Sequence, residues 1–203
     1  MVGIFHSEEK TMSLREFRTA EFPVHDIFIN RNSPRAMSGE AISDNELMSL
    51  FEAARWASSC YNEQPWRFVY AMRGSQPFQR FMNCLVEFNQ TWCNNAAALI
   101  VLVSQDTFAL NNNPNDWHSF DSGSAWQSLA LQGSVNGLVV HGMAGFDKEK
   151  AAAAVNLPGG HSVEIMIAVG KPGPIDVLPQ DMQKGETPSQ RKPMKEIALE
   201  GSF

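Results

Sequence analysis

Cysteine is scarce in this sequence. Cys60, Cys84 and Cys93 are the only three among 203 residues, too few and too irregularly spaced for a disulfide framework. No Cys-x-x-Cys pair is available for zinc or dithiol redox chemistry. Positive charge is short as well: 16 Lys and Arg face 22 Asp and Glu, a formal net charge of -6. Nonspecific nucleic-acid binding runs on the opposite balance, and no basic stripe offsets it. The longest apolar run, Ala96 to Val103, falls far short of the roughly 20 residues that span a bilayer. Glu8, Glu9 and Lys10 stand where a signal peptide would need an apolar stretch. Neither nucleic acid nor a membrane is expected as a partner, and a reducing cytoplasm is the expected home.

Signatures of several enzyme classes are missing too. No G-x-G-x-x-G follows a strand, and there is no G-x-x-x-x-G-K-[ST], no G-x-S-x-G and no H-E-x-x-H. His6, His25, His118, His141 and His161 are scattered, with no neighbouring nucleophile and no ligand-like spacing in the sequence. Metal or triad use needs convergent partners. A Rossmann enzyme, a P-loop enzyme, a serine hydrolase and a zinc enzyme are therefore disfavoured, and no metal site is expected.

What is present suits one ordinary globular domain, with 43% hydrophobic and 19% charged residues. Ser43 followed three residues on by Glu46 predicts a capped helix start. Leu47, Leu50, Phe51 and Ala54 then recur on one helical face. Trp66 to Met72 reads as a strand between Pro65 and Gly74. The spacing of Phe78, Phe81, Leu85 and Phe88 predicts one helix from Phe78 to Trp92. Ala97 to Val103 reads as a strand buried on both faces. The polar stretch Gln105 to Ser119, holding Phe108 and Trp117, is either a lid or a surface excursion. A helix over Asp121 to Asn136 stops at Gly137, and Leu138 to Val140 reads as extended. A helix over Lys148 to Val155, a strand over Val163 to Val169 and one or two helical turns near Met194 complete the pattern. Helices and strands alternate around one sheet, which makes the class α/β or α+β.

Three separated segments carry side chains suited to chemistry. In Arg31-Asn-Ser-Pro-Arg35, two forked guanidiniums with a serine between them suit a phosphate or a delocalised anion; alone, the segment reads better as a solvated basic turn. In Ser58-Ser-Cys-Tyr-Asn-Glu-Gln-Pro-Trp66, Asn62 and Gln64 offer the donors and acceptors needed to read a flavin or nicotinamide edge, and Trp66 by itself reads as core. Arg191-Lys-Pro193 offers a late arginine, or a solvated tail.

Taken jointly, these blocks resemble the nitroreductase family of FMN-dependent oxidoreductases. The order is Arg31-x-Ser33-x-Arg35, then Ala53-Ala-Arg-Trp-Ala-Ser-Ser59, then Asn62-x-Gln64-Pro-Trp66. Gly142-Met-Ala-Gly-Phe-Asp147, Ala168-Val-Gly-Lys-Pro172 and Arg191-Lys-Pro193 follow where that family has similar signatures. The resemblance begins near Val24, so residues 1–22 read as an N-terminal extension and 23–203 as the FMN-binding domain. It implies an α+β sandwich, a mixed central sheet flanked by helices, in an intertwined homodimer with FMN at the interface. Carried over position by position, Arg31, Ser33 and Arg191 would hold the phosphate, and Asn32 would contribute backbone contacts. Arg35 would lie at the flavin N1/O2 edge. Ser58, Ser59, Cys60 and Asn62 would reach the partner's FMN, and Gln64 would support that loop. Ala144 and Gly145 would present backbone groups near N5.

Two departures stand out. The family's Ala-Pro-Ser-Ser becomes Ala57-Ser58-Ser59-Cys60, and the family's mid-chain contacts have no clear counterpart beyond the candidate Asn89. The implied chemistry is hydride transfer from NADH or NADPH through flavin N5 to a small-molecule acceptor such as a nitroaromatic or quinone, by ping-pong kinetics. Arg35 is the residue expected to be catalytic, a fixed guanidinium where negative charge develops. Reductive dehalogenation, flavin breakdown or a non-catalytic ligand-binding dimer remain open alternatives.

Overall fold

Strand β2 (Ala98–Gln105) organises the chain, because its successive side chains bury into two different cores. Leu99, Val101 and Val103 enter one cluster with Phe81, Trp92 and Met166. Ala98, Ile100 and Leu102 enter the other with Leu47, Leu50, Ala125 and Leu129. That alternation is the two-residue period of a strand, and here both faces are apolar because helices cover both. The structure is a computed structural model and describes residues 14–203. His6, and most of the segment judged for a leader, lie outside the described residues.

The sheet has four strands in the order β1-β2-β4-β3, with β1 at Trp66–Met72, β3 at Val139–Met143 and β4 at His161–Gly170. Leu102 and Val103 flank a register shift against β4. The helix-flanked α+β architecture expected from the sequence is present. One feature differs: all three pairings are antiparallel, where a mixed sheet was expected. β4 inserts between β2 and β3, so those two run the same way without pairing.

Helix α1 (Asp26–Asn30) is short. Helix α2 (Asp44–Arg55) starts at the expected capping box, with Ser43 and Glu46 bonded reciprocally. On the opposite side the sequence reading needs correction. Residues 78–92 are two helices, α3 (Gln76–Met82) and α4 (Glu87–Cys93), separated by a non-helical turn. The chain opens there because Val86 N donates to Gly145 O (3.0 Å) and Asp147 N to Cys84 O (2.8 Å), pairing Leu85 with Phe146. Leu85 is buried as its spacing foretold, but as a bridge residue. Helix α5 (His118–Val135) begins three residues early and ends before Gly137. Helix α6 (Lys148–Ala154) precedes β4.

Beyond β4 the chain returns along the segment before α2. Met37 pairs with Pro172, Ser38 N donates to Lys171 O (3.0 Å), and Gly173 N donates to Ala36 O (3.0 Å). A Cβ on Gly173 would lie 2.6 Å from the Met37 carbonyl carbon, so only glycine allows this approach. Helix α7 (Gln180–Gln183) and a 3-10 turn at Lys184–Glu186 follow. Residues 31–38 and 171–191 thus lie side by side, although the sequence holds them more than 130 residues apart.

Candidate active site

Arg31, which leaves the C-terminal end of α1, and Arg191, on the returning segment, face one polar cavity of about 190 Å³. Asn32, Ser33 and Arg35 also line it, as does Arg18. Arg31 Nη1 donates to Ser33 Oγ (2.9 Å), so the two motif residues are pre-set against each other. Burial, and then the fields of Arg191 and Arg18, hold the Arg31 guanidinium below its ordinary pKa. Arg18 and Arg191 thus add like charge beside Arg31, which leaves a strongly positive hollow. Among the described residues none of the three forms an ion pair with a carboxylate. Such a donor set fits a phosphate group. A larger cavity of about 480 Å³ shares Arg18, Ser189 and Arg191 but is mostly apolar, with Phe22 and Phe28 on its wall.

Arg35 is placed differently. Its backbone N–H donates to both Glu186 carboxylate oxygens (3.1 and 2.8 Å), and Ala36 N donates to Glu186 Oε2 (3.1 Å). Its Nη1 lies 3.5 Å from Glu186 Oε1, and its guanidinium sits 5.6 Å from the Phe88 ring centre. Arg35 is therefore oriented from both sides and its charge is partly offset. His141 closes this corner. Its Nδ1–H donates to Pro34 O (3.1 Å) and its ring packs 4.7 Å from Trp92. Burial is the largest of the influences on its pKa, which lies below the usual value.

Gly145 stands next to α4. Asn89 Nδ2 donates to Gly145 O (2.9 Å), and Asn89 Oδ1 accepts from Trp92 Nε1 (3.2 Å). A Cβ at Gly145 would lie 2.6 Å from Asn89 Nδ2. Asn89, itself buried, thus shapes the 144–146 turn, while Ala144 is exposed.

Ser58, Ser59, Cys60, Asn62 and Gln64 form a separate loop after α2, and none of them lines the arginine cavity. Tyr61, Asn62 and Gln64 all have positive φ (50°, 57° and 52°), an unusual run for residues bearing side chains. It is held by Gln64 N donating to Ser59 Oγ (3.0 Å), Gln64 Nε2 to Asn62 O (2.8 Å), and Cys60 N to Asp121 Oδ2 (3.0 Å). The 105–117 stretch is pinned to the same place: Ala109 N donates to Glu63 Oε1 (2.8 Å), and Phe108 packs edge-on at 6.0 Å from Tyr61.

One histidine corrects the sequence reading. His118 Nδ1 lies 2.7 Å from Ser104 Oγ and 3.2 Å from Glu164 Oε1, so it does have a nearby nucleophile. The arrangement is not a hydrolytic triad: Ser104 is fully buried, its hydroxyl donates to Glu164, and one imidazole nitrogen faces both partners. No group of three or more His, Cys, Asp or Glu suited to a metal occurs among the described residues. None of the described helices is long and apolar enough to cross a membrane. Sequence reasoning missed Arg18, Glu186 and Asp121, none of which belongs to a local motif.

A sequence model of the nitroreductase family matches residues 29–171. An Archaeoglobus fulgidus protein named for NADH dehydrogenase/NAD(P)H nitroreductase activity is 30% identical over 101 residues, a match spanning 50% of this chain and 55% of that relative. Among solved structures, an oxidoreductase containing FMN is 39% identical, with 92% of this chain and 96% of the other covered and a TM-score of 0.88. A Desulfovibrio desulfuricans protein solved in complex with FMN shares the fold at TM-score 0.70 and 24% identity, over 91% of this chain and 99% of its own.

Proposed function

Because this chain belongs to the nitroreductase family, we propose that it binds FMN as a homodimer and reduces a small electrophile at the expense of NADH or NADPH. The observation that carries this reading is the convergence of Arg31, Ser33 and Arg191 on one polar cavity. FMN, when bound, would accept hydride from the nicotinamide and pass it to a nitroaromatic, a quinone or a similar acceptor in a ping-pong cycle.

The chain's own residues do the rest. Arg31 and Arg191 neutralise the phosphate, with Ser33 fixed by Arg31 and Asn32 on the same wall. Arg35 offers a guanidinium held still by Glu186 and Phe88, which favours negative charge developing beside it without reorganising. Asn89 holds the Gly145 carbonyl, so the neighbouring backbone of Ala144 and Gly145 is presented in a fixed orientation. No acid or base side chain is needed at the reacting atoms.

The loop of Ser58, Ser59, Cys60 and Asn62 lies outside the cavity of its own chain, which suits contact with the FMN of a second copy. Exposed apolar side chains such as Trp56, Tyr61 and Phe120 would be available to such a partner surface. The deciding experiment is the absorption spectrum of freshly purified protein, recorded before and after NADH or NADPH. A yellow dimer that bleaches and regains colour with an acceptor is expected. A colourless protein that added FMN does not turn yellow would refute the proposal. Parallel double-reciprocal plots test the ping-pong order, and a panel of nitroaromatics, quinones and halogenated phenols identifies the acceptor class.

A further inference from the structure

The geometry points to Arg18, which precedes the family match, as a phosphate-recognition residue of the FMN site; this assignment rests on the FMN reading above. Its guanidinium reaches across three segments. Nε donates to Ser189 O (3.1 Å), Nη1 to Ile29 O (2.6 Å) and Arg31 O (2.9 Å), and Nη2 to Asn32 Oδ1 (3.1 Å). An arginine has five N–H groups, so one hydrogen on Nη2 remains for a ligand. All four acceptors are neutral, three carbonyls and an amide. No carboxylate therefore offsets the charge of Arg18, whereas Arg35 faces Glu186.

Position and field agree. Arg18 lines the polar cavity with Arg31 and Arg191. Its pKa is lowered by burial and then by Arg191. Crowding cations in this way is unfavourable unless an anion relieves it. Arg18 also ties the carbonyl of Arg31 to that of Ser189, two residues from Arg191, so it sets the separation of the cavity walls. Neighbouring contacts dock the same segment: Leu14 N donates to Asn30 Oδ1 (3.0 Å), Gln190 Nε2 donates to Phe17 O, and Met194 N donates to Glu21 Oε1 (3.0 Å). The described part of the N-terminal extension is thus built into the site.

The test separates phosphate recognition from general scaffolding by comparing FMN with riboflavin, which lacks the phosphate. Dissociation constants for both are measured by flavin fluorescence quenching on wild type, R18Q and R31A. Wild type is expected to prefer FMN strongly. R18Q is expected to weaken FMN about tenfold, as loss of a charged contact does, with riboflavin affinity unchanged. R31A, the reference variant, should narrow the preference in the same way. Should R18Q not fold, R18K makes the same comparison, with a smaller loss of FMN affinity because the charge stays. If R31A narrows the preference and the Arg18 variant leaves it intact, or weakens both ligands equally, the Arg18 assignment falls alone. If wild type shows no preference for FMN, the phosphate reading falls and takes Arg18 with it.

Discussion

Replacing Glu186 with alanine gives the sharpest test of how the site is held together. The Glu186 side chain is 7% exposed and accepts from the backbone N–H of Arg35 and of Ala36 while facing the Arg35 guanidinium. Alanine removes every one of these acceptors. The buried Ala36 N–H loses its partner at a cost of about 1–3 kcal/mol, and the Arg35 N–H, which water reaches in part, falls at the low end of that range. The Arg35 guanidinium is 27% exposed at 3.5 Å, so solvent discounts its contribution to about 1 kcal/mol or less. The sum is about 3 kcal/mol. For a chain of this size that corresponds to a fall in Tm of about 6–12 °C. E186Q keeps an oxygen for the backbone groups and loses only charge assistance, so a fall of about 2–4 °C is expected. Scanning calorimetry of wild type and both variants at matched FMN concentration reads these shifts. An E186A protein melting within about 2 °C of wild type would show that the carboxylate does not clamp residues 34–36 to the returning segment.

The remaining predictions concern the same corner of the molecule. R35A should lower the flavin midpoint potential by about 20–45 mV, equivalent to about 1–2 kcal/mol; Glu186 already offsets part of the guanidinium, and an unchanged potential would remove Arg35 from the proposed chemistry. His141 is held below its ordinary pKa in the folded chain, so the unfolded chain binds the proton more readily. Its contribution to stability is complete above about pH 6.5 and declines as pH falls from there through the folded value. Urea midpoints at pH 7.5 and 5.5 should therefore differ more for wild type than for H141Q, and equal pH dependence would contradict this placement. G145A brings a methyl group to 2.6 Å from Asn89 Nδ2 and should destabilise by about 1–3 kcal/mol. N89A leaves the Trp92 N–H without its acceptor and should cost a similar amount; urea denaturation of each checks both.

Much of the fold was legible because it is written in local periods. β1 matches the expected strand residue for residue, and the Ser43–Glu46 capping box and the doubly buried β2 were set by neighbours in sequence. The pair Arg31 and Ser33 was legible as well, since two residues of spacing suffice to join them. Where local period misled, a distant partner intervened. Residues 78–92 keep helical spacing throughout, yet the backbone hydrogen bonds offered by Gly145 and Asp147 break them into two helices.

The order of the arginine and amide blocks along the chain was enough to indicate the family and to mark Arg31, Ser33 and Arg191. It did not reach Arg18, Glu186 or Asp121, which carry no motif and act on residues 61 to 151 positions away or across several segments at once. Nor did it find the contact between His118 and Ser104, which exists because β2, β4 and the start of α5 meet. Hydrogen bonds and short-range charge interactions depend on separation in space. The sequence specifies that separation only within a helical turn or along a strand, and beyond that range it is the packing of the whole chain that places one group against another.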